Sequence, residues 1–354
     1  MKILIVDDDP DIRTLLSIQL KKLGHVVFTA DNGYSAVTKT VTSLPNIVLM
    51  DIEMPTMNGI QAVKEIRTYD ALKDIPIIMI SAHGEKEYII ATIKVGASDY
   101  VLKPFKMGIL LGKLNNWINS LMEDNWKDLV PEQRGALNIG KNIIELLSGL
   151  IERGGAPSYN DTYIATKVMI DAIEKYGNRF ILHSFEESEE SLIVHCLRSA
   201  SILYDFAKKK GFNEEECFNI TMGGILYDIG KVMVPYALTF KPDKLDVDEL
   251  KDVKEHVKYG VEFLQREAQM PSVVLDICQG HHERPDGLGY PNGLKGAEVT
   301  IPMRMTAIVD AYCALTAKKV YRKPYSDDEA FNIIVDSKDQ FDQDMVKEFF
   351  CRMR

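Results

Sequence analysis

Two sets of residues in this sequence have the types and spacing that phosphate chemistry requires, and the first set lies in its first third. Each of its members follows a short apolar run: Asp7 and Asp8, Asp51, Ser81, and Lys103. Converging carboxylates repel one another unless a hard cation such as Mg²⁺ lies among them. A carboxylate beside Mg²⁺ can attack a phosphoryl donor, after which Lys103 can pair with the phosphate and Ser81 can donate a hydrogen bond to it. The pattern therefore predicts a phosphorylation switch.

The second set combines histidines with aspartates in apolar surroundings: His195, Asp228, His256, His281, His282 and Asp310. An unpaired carboxylate in an apolar helix costs several kcal/mol, so Asp228 and Asp310 each need a partner. Convergence on divalent metal ions would satisfy carboxylates and imidazoles together. Two plainer explanations stay open, because His195 alone suits a hydrogen-bonded core position and Asp228 alone suits an ion pair with Lys231. The His281-His282 doublet beside a Gly-rich loop favours metal binding.

The composition limits the partners of both sets. A formal charge of −10 over 354 residues opposes non-specific binding to DNA or to membrane surfaces, so we expect neither as a partner. The same charge requires local cations around any anionic substrate. Five cysteines without a C-x-x-C pair indicate free thiols in a reducing compartment. With no signal-peptide pattern and no run of about 18 apolar residues, the sequence predicts a cytoplasmic protein.

Strands and helices that alternate from Lys2 to about Leu121 must position the first set. Short apolar runs predict strands buried on both faces: Ile3–Val6, Val26–Thr29, Ile47–Met50, Ile75–Ile80 and Tyr100–Leu102. Amphipathic segments between them predict helices: Asp11–Leu23, Tyr34–Val41, Gln61–Thr68, Lys86–Val95 and Lys106–Ser120. The alternation indicates a doubly wound α/β fold around a parallel five-stranded sheet. The carboxyl ends of such strands would bring the acidic residues together.

Helices must position the second set, because the strand signals stop after a joint at residues 122–135. Ala136–Ile151 is amphipathic, and a stripe that repeats every four residues predicts a further helix that ends at Gly177. The rest of the chain has helical periodicity, apart from one loop rich in glycine and proline at residues 284–296. The sequence therefore divides into three parts: a first domain at 1–121, a linker at 122–135 and an all-α domain at 136–354.

The run Asp51-Ile-Glu-Met-Pro-Thr-Met-Asn-Gly59, with Asp99-Tyr100 and Lys103-Pro104-Phe105, resembles the receiver domain of two-component response regulators, which has a flavodoxin-like fold. The resemblance covers roughly the first third of the chain. It implies that Asp51 accepts a phosphoryl group from a cognate sensor histidine kinase. Ser81 and Tyr100 would couple phosphorylation to a change on the outer face of the domain.

The same resemblance implies a Mg²⁺ site and a dimer. Asp8, Asp51 and the backbone carbonyl of Glu53 would hold Mg²⁺, with Asp7 acting through water. Receiver domains commonly dimerise through their last two helices and the strand between them. A phosphorylation-dependent homodimer is therefore expected over this face: Ile89, Ile93, Tyr100 and Ile109.

The stretch His281-His-Glu-Arg-Pro-Asp-Gly-Leu-Gly-Tyr-Pro291 resembles the signature loop of the HD-GYP family, metal-dependent phosphodiesterases of cyclic di-GMP. The family's motifs extend over residues 187–350, and residues 136–186 would form the variable front helices of the same bundle. Supporting matches occur in the family's order: Ile225–Lys231, Val234-Pro235, Lys241-Pro242, His256 with Gly260, Ile308–Asp310, Ala314–Thr316 and Tyr321-Arg322. The resemblance implies an HD-superfamily helical bundle that hydrolyses cyclic di-GMP to pGpG and GMP.

In this family the site holds two divalent metals, with iron or manganese expected here. The resemblance places one metal on His195, Asp228 and Asp310 together with position 227. It places the other on His256, His281 and His282, with Asp228 as a bridge. Asp228 and Lys231 would be the catalytic pair. Substrate contacts would come from the loop and from nearby cations: Lys231, Arg284, Asp286, Gly289, Tyr290, Pro291, Lys319 and Arg322.

Three departures from the family pattern leave the output open. Tyr227 stands in place of a metal-binding histidine, and a phenol, which ionises near pH ~10, is a poor ligand unless the metal deprotonates it. Ser191 stands where some members have a glutamate for a third metal, and Cys313 replaces an aspartate. Three functions follow: hydrolysis of cyclic di-GMP, hydrolysis of another cyclic dinucleotide, or a catalytically impaired module that binds cyclic dinucleotides or protein targets.

Overall fold

The computed structural model describes residues 1–23, 25–82, 86–105, 107–124, 126–186, 188, 190–235, 238, 244–318 and 323–353. The chain separates into two compact units, the first at Met1–Asp124 and the second comprising the helical segments that follow. None of the helices in these ranges is both long enough and apolar enough to cross a bilayer. The five cysteines are free thiols, and only Cys351 is exposed among them.

A five-stranded parallel sheet forms the centre of the first unit, in the order β2-β1-β3-β4-β5. Its strands are β1 (Lys2–Val6), β2 (Val26–Ala30), β3 (Ile47–Asp51), β4 (Ile77–Ser81) and β5 (Asp99–Leu102). Every residue of β3 and β4 is buried, as strands covered on both faces require. The predicted doubly wound α/β fold is confirmed. β3 and β4 end on Asp51 and Ser81, two of the residues assigned to the site.

Four helices of the first unit connect consecutive strands and a fifth follows β5: α1 (Pro10–Lys22), α2 (Gly33–Ser43), α3 (Gly59–Ile66), α4 (Lys86–Lys94) and α5 (Met107–Asp124). Asn58 caps α3 by accepting a hydrogen bond of 2.9 Å from the backbone N–H of Gln61. A Cβ at Gly59 would lie only 2.1 Å from the backbone oxygen of Asp51. Glycine at this position therefore lets α3 start directly against the end of β3.

Helices build the described part of the second unit: α6 (Pro131–Glu152), α7 (Tyr159–Tyr176), α8 (Arg179–Ser184), α9 (Leu192–Lys210), α10 (Glu214–Leu226), α11 (Val247–Leu264), α12 (Ser272–Gly280), α13 (Ile301–Thr316), α14 (Asp327–Asp336) and α15 (Gln343–Met353). The predicted all-α architecture is confirmed. α6 starts at Pro131, earlier than the predicted Ala136, because proline suits a first helical turn, where its missing N–H would have no partner. α7 ends before Gly177, as predicted.

The segment that carries Asp228 packs closely against α11. α10 ends at Leu226, and a short 3₁₀ helix spans Ile229–Met233. Asp228 therefore lies between two helices, whereas its apolar surroundings had suggested a position inside one helix. A Cβ at Gly230 would lie 1.9 Å from the carbonyl oxygen of His256. Glycine at this position therefore allows the backbone after Asp228 to approach the histidine of α11.

Candidate phosphorylation site and metal centre

The acidic cluster of the first unit lies where β1, β3 and β5 end. Lys103 Nζ is 2.8 Å from Asp7 Oδ2 and 2.9 Å from Asp51 Oδ2, so one ammonium group bridges two buried carboxylates. Asp8 is exposed, and one oxygen from each of the three aspartates lies within 4.8 Å of the other two. Carboxylate oxygens at this spacing suit Mg²⁺. The structure thus brings the predicted acidic residues and their lysine together.

The electrostatics of this cluster keep a cation beside Asp51. Burial raises the pKa of the Asp51 carboxyl above its ordinary value, against the effect of the hydrogen bond from Lys103. Burial alone would lower the pKa of Lys103, but its hydrogen bonds to Asp7 and Asp51 raise it. Lys103 therefore stays charged and can pair with a phosphate group on Asp51.

The other residues predicted for the first unit surround this cluster. Ser81 is buried as the last residue of β4, the strand that pairs with β3. Glu53 follows β3 and is exposed. Tyr100 is half-buried on β5, with the Nζ of Lys113 5.7 Å from its ring centroid. Their positions agree with the sequence pattern, and their roles in phosphorylation stay predictions.

In the second unit, His256 and His281 face each other beside Asp228. The Nδ1 of His256 is 2.6 Å from the carbonyl oxygen of Val253, and the Nδ1 of His281 is 2.9 Å from that of Cys278. Because a carbonyl oxygen only accepts, each Nδ1 carries a proton, and in the neutral form of such an imidazole Nε2 keeps the lone pair that can bind metal. The two Nε2 atoms are 3.3 Å apart. Imidazoles oriented in this way by backbone carbonyls are typical of metal ligands.

One oxygen of Asp228 completes this group. Asp228 is fully buried, and its Oδ1 has no hydrogen-bond partner within the part of the chain that is described. This oxygen is 3.5 Å from His256 Nε2 and 3.6 Å from His281 Nε2. His282 offers a ring nitrogen within 4.8 Å of those of the other two histidines. A divalent cation would satisfy all four side chains, which we call the three-histidine cluster.

The other oxygen of Asp228 belongs to a second group, the His195 cluster, formed by His195, Tyr227 and Asp310 around it. Asp228 Oδ2 accepts a hydrogen bond from Lys231 and is 3.4 Å from His195 Nε2. His195 Nε2 is 2.8 Å from Asp310 Oδ1 and 2.6 Å from the hydroxyl of Tyr227. One atom each of His195, Asp228 and Asp310 lies within 4.8 Å of the others. Both predicted metal groups are thus assembled, and they share Asp228.

Tyr227 stands at the position where the family resemblance places a metal-binding histidine, and it is fully buried. Its hydroxyl is 3.1 Å from Ser199 Oγ and 3.2 Å from Asp310 Oδ1, in addition to its contact with His195. Burial raises the pKa of the phenol well above its ordinary value, and the nearby carboxylates act in the same direction. The hydroxyl is therefore neutral in the metal-free protein.

The two clusters hold their imidazoles in opposite charge states. Burial lowers the pKa of His256 to about 4 and holds the pKa of His282 well below its ordinary value. Burial alone would lower the pKa of His195 as well, but hydrogen bonds to Asp310 and Glu190 raise it to about 9. At neutral pH His256 and His282 of the three-histidine cluster are therefore neutral imidazoles, which bind metal, whereas the His195 cluster contains an imidazolium, which does not.

Two glutamates that were not assigned a role from the sequence form hydrogen bonds to the site, one to His195 and the other to the backbone of the loop after His282. Glu283 is buried, and its carboxylate accepts hydrogen bonds from the backbone N–H groups of Asn292 at 2.6 Å and Leu294 at 2.9 Å. Glu190 Oε1 is 2.7 Å from His195 Nδ1. The sequence shows only that Glu283 lies inside the signature loop and that Glu190 lies shortly before His195. Neither position predicts that the side chain is buried or which group it contacts.

Residues of the signature loop line up beside the three-histidine cluster. The ring of Tyr290 stacks on that of His282 with 4.7 Å between centroids, and Lys254 Nζ is 4.7 Å from the Tyr290 centroid. A Cβ at Gly289 would lie 2.4 Å from a backbone nitrogen of the same loop, so the turn that precedes Tyr290 and Pro291 requires glycine. The loop thus presents an aromatic face next to a candidate metal ligand.

The cations predicted around the substrate differ in how they are engaged. Lys231 pairs with Asp228. Arg284 pairs with Asp286, with 3.0 Å between its Nε and Oδ1. Lys319 and Arg322 lie outside the described residues. The roles of all these residues in substrate binding stay predictions.

Comparison with known proteins assigns a family to each unit. The response regulator receiver domain matches residues 3–115, and the HD domain matches residues 168–345, half of the chain. The chemotaxis protein CheY of Bacillus subtilis is 43% identical over 119 residues, which cover 33% of this chain and 98% of that protein.

Two phosphodiesterases are also similar to this chain, one over most of its length and one over a shorter stretch. The cyclic di-GMP phosphodiesterase response regulator RpfG of Xanthomonas campestris is 26% identical over 333 residues, covering 93% of this chain and 82% of that protein. The 3'3'-cGAMP-specific phosphodiesterase 2 of Vibrio cholerae is 40% identical over 137 residues, covering 38% of this chain and 26% of that protein.

Proposed function

Because this chain belongs to the response regulator receiver family in its first unit and to the HD domain family in its second, we propose that it is a phosphorylation-controlled phosphodiesterase of cyclic di-GMP. The observation that carries the proposal is Asp228 Oδ1, which is buried beside the Nε2 atoms of His256 and His281 and has no hydrogen-bond partner among the residues that the structure describes. The activity named for RpfG supports the choice of substrate. Hydrolysis adds water across one phosphodiester bond and gives linear pGpG, and a second hydrolysis gives GMP.

A divalent metal, iron or manganese, would be held by the three-histidine cluster. When bound, such a metal polarises a phosphoryl oxygen and lowers the pKa of water. The protein prepares the ligands for it: His256 is neutral, and its Nδ1 is held by a backbone carbonyl. Burial alone would raise the pKa of Asp228, but the ammonium of Lys231 holds it well below its ordinary value, so the carboxylate stays ionised.

Lys231 and the signature loop would bind the substrate. The side chain of Lys231 is 26% exposed while its ammonium contacts Asp228, so it can reach a phosphate oxygen without leaving the metal centre. An ammonium at this position balances negative charge that grows on a phosphate during attack. The Arg284–Asp286 pair and the stacked ring of Tyr290 would hold the rest of the dinucleotide beside the metal.

The test is an assay with purified full-length protein, loaded anaerobically with Mn²⁺ or Fe²⁺ and mixed with cyclic di-GMP. We expect pGpG as the first product and no product from Asp228→Asn, which removes the shared metal ligand. Parallel reactions with 3'3'-cGAMP compare the two substrates named for the relatives. Faster turnover of 3'3'-cGAMP would assign the hydrolase to that dinucleotide.

Tyr227 favours a second candidate, a module that binds a cyclic dinucleotide or a protein target without turnover. Its hydroxyl occupies hydrogen bonds with His195, Ser199 and Asp310 at the position of the family's metal-binding histidine. Calorimetric binding of cyclic di-GMP without product, in protein shown to contain metal, would establish this candidate and exclude the hydrolase.

The receiver would control this output through Asp51. A histidine kinase would donate the phosphoryl group, Mg²⁺ would lie among Asp7, Asp8 and Asp51, and Lys103 would pair with the phosphate. Ile93 and Ile109 are exposed on α4 and α5, which supports a phosphorylation-dependent homodimer over this face. Light scattering before and after addition of beryllofluoride tests it, and an unchanged mass in solution would contradict it.

A further inference from the structure

We propose that the second unit binds one divalent metal and not two, in the three-histidine cluster, and that Tyr227 keeps metal out of the His195 cluster. The inference rests on the metal-binding part of the proposed function and does not depend on the substrate or on hydrolysis. It departs from the family resemblance, which implies one metal in each cluster.

The first reason is the difference between the two oxygens of Asp228. Oδ1 has no hydrogen-bond partner in the described part of the chain and lies 3.5 Å from the Nε2 of His256 and 3.6 Å from that of His281. Oδ2 accepts a hydrogen bond from the ammonium group of Lys231, so a full positive charge lies next to that oxygen. Lys231 therefore already places a positive charge at Oδ2, whereas no donor of the described residues contacts Oδ1. Burial without a positive partner is costly for a carboxylate oxygen, so the gain from metal binding is concentrated at Oδ1.

The second reason is the position of the phenol oxygen in the His195 cluster. A metal shared by His195 Nε2 and Asp310 Oδ1 would lie about 2 Å from each atom. The hydroxyl of Tyr227 is 2.6 Å from the first of these atoms and 3.2 Å from the second, so it occupies the same region. A hydroxyl has one proton and two lone pairs, and Ser199 Oγ at 3.1 Å takes up a third contact. The group is satisfied where it is.

The third reason is that Tyr227 has no room to withdraw. The side chain is fully buried, and its ring packs edge-on against the ring of His281 with 4.8 Å between centroids. The thiol of Cys278 donates a hydrogen bond of 3.3 Å to the backbone oxygen of Tyr227, which holds the backbone from which the phenol extends. Rotation of the phenol would have to displace the imidazole of His281, which belongs to the three-histidine cluster. Tyr227 therefore separates the two clusters, and Lys231 supplies there the positive charge that a second metal would bring.

Metal counting tests the inference directly. All proteins are full-length and carry Asp8→Asn and Asp51→Asn, so that the receiver carboxylates add no metal to the count. After anaerobic loading with Mn²⁺ and removal of excess ion, we expect one Mn²⁺ per chain and the electron paramagnetic resonance of an isolated ion. Tyr227→His should raise the count to two and produce the spectrum of a coupled pair. Tyr227→Phe, which keeps the ring without the hydroxyl, should remain at one because it adds no ligand.

Two further variants keep the test valid if Tyr227→His does not fold. His195→Ala should leave the count at one, whereas His256→Ala should abolish metal binding. A dinuclear centre predicts instead that both substitutions lower the count. Two metals in the protein with Tyr227, or visible ferric–phenolate absorption that is lost in Tyr227→Phe, would overturn the inference and leave the proposed function intact. No metal in any folded variant would overturn the metal centre itself, and with it the proposed hydrolysis.

Discussion

In the first unit, Lys103 approaches Asp7 and Asp51 from the end of a different strand, whereas in the second unit Lys231 approaches Asp228 from the next turn of the chain. Lys103 bridges two carboxylates, so its cluster is balanced to a large extent before any metal arrives. Lys231 reaches only one oxygen of Asp228, and the other has no partner among the described residues. The difference predicts that a Mg²⁺ bound in the receiver would exchange readily, whereas a metal bound in the helical unit would also contribute to its stability.

The largest expected effect comes from removing the central carboxylate of each site. Asp228→Asn should abolish metal binding and hydrolysis in the second unit, because the amide oxygen is a weaker ligand and leaves Lys231 without its ion pair. Asp51→Asn should abolish phosphorylation and leave the metal content of the second unit unchanged. Elemental analysis and labelling with acetyl phosphate measure the two outcomes. Retention of metal by a folded Asp228→Asn protein would contradict the comparison.

The fold and most members of both sites could be predicted from the sequence, but the basis of the prediction differs between the two units. Parallel strands bring their carboxyl ends to one edge, so Asp51 and Lys103 could be placed together from strand order alone. No such rule exists for a helical bundle: the residues alone suggested Lys231 as a partner of Asp228, and its histidine partners came from a family resemblance. Glu190 and Glu283 were missed because burial and long-range hydrogen bonds decide their roles. The fold was confirmed in both units, and the roles of the site residues stay predictions.

The second prediction tests whether close backbone packing positions the metal ligands. Gly230→Ala places a Cβ 1.9 Å from the carbonyl oxygen of His256, and backbone atoms cannot yield easily. We expect a loss of about 3 kcal/mol in the unfolding free energy, together with weaker Mn²⁺ binding. Gly135→Ala in α6 is the matched control, because nothing lies within 4 Å of its Cβ. It should stabilise the helix by up to about 1 kcal/mol. Equal stability of the two variants would contradict this role of Gly230.

The receiver offers a parallel pair that sharpens the comparison. Gly59→Ala places a Cβ 2.1 Å from the backbone oxygen of Asp51, whereas Gly112→Ala in α5 meets nothing within 4 Å. The first variant should reduce the rate of phosphorylation at Asp51, and the second should not. Neither should change metal binding by the second unit. A change in both activities after Gly59→Ala would show that the two sites are not independent.

The third prediction concerns the opposite charge states within the helical unit, measured on metal-free protein. His195 has its pKa raised to about 9, so its stabilising contribution is complete below the unfolded value near ~6.5 and is lost as the pH rises toward 9. His256 has its pKa lowered to about 4, so its contribution is present above ~6.5 and is lost as the pH falls toward 4. Each histidine should contribute a slope of about 1.4 kcal/mol per pH unit, and His282, whose pKa is also held well below its ordinary value, adds to the acid limb.

Urea unfolding between pH 4 and 9 measures both limbs through the fluorescence of the buried Trp126 in a Trp117→Phe background. We expect maximal stability of the second unit near pH ~6.5. His195→Gln should flatten the alkaline limb only, and His256→Gln should reduce the slope of the acid limb only, to the part contributed by His282. A single limb removed by both substitutions would mean that the two histidines titrate as one group, and the two clusters would then not be electrostatically distinct.

The smallest expected effect tests how the signature loop is held. Glu283 is buried and accepts two backbone N–H groups, from Asn292 and Leu294. Glu283→Gln keeps the shape but offers one acceptor oxygen, so one N–H loses its partner at a cost of about 1 kcal/mol. The weakened segment carries no predicted metal ligand, but it follows Tyr290, which is predicted to contact the substrate. We therefore expect KM to rise about fivefold, with kcat and metal content unchanged.

Glu298→Gln is the control, because that glutamate is exposed and accepts a hydrogen bond from the backbone N–H of Lys295 in the next turn of the chain. A fall in kcat at constant KM after Glu283→Gln would mean that the glutamate acts on the metal ligands His281 and His282 and not on the loop.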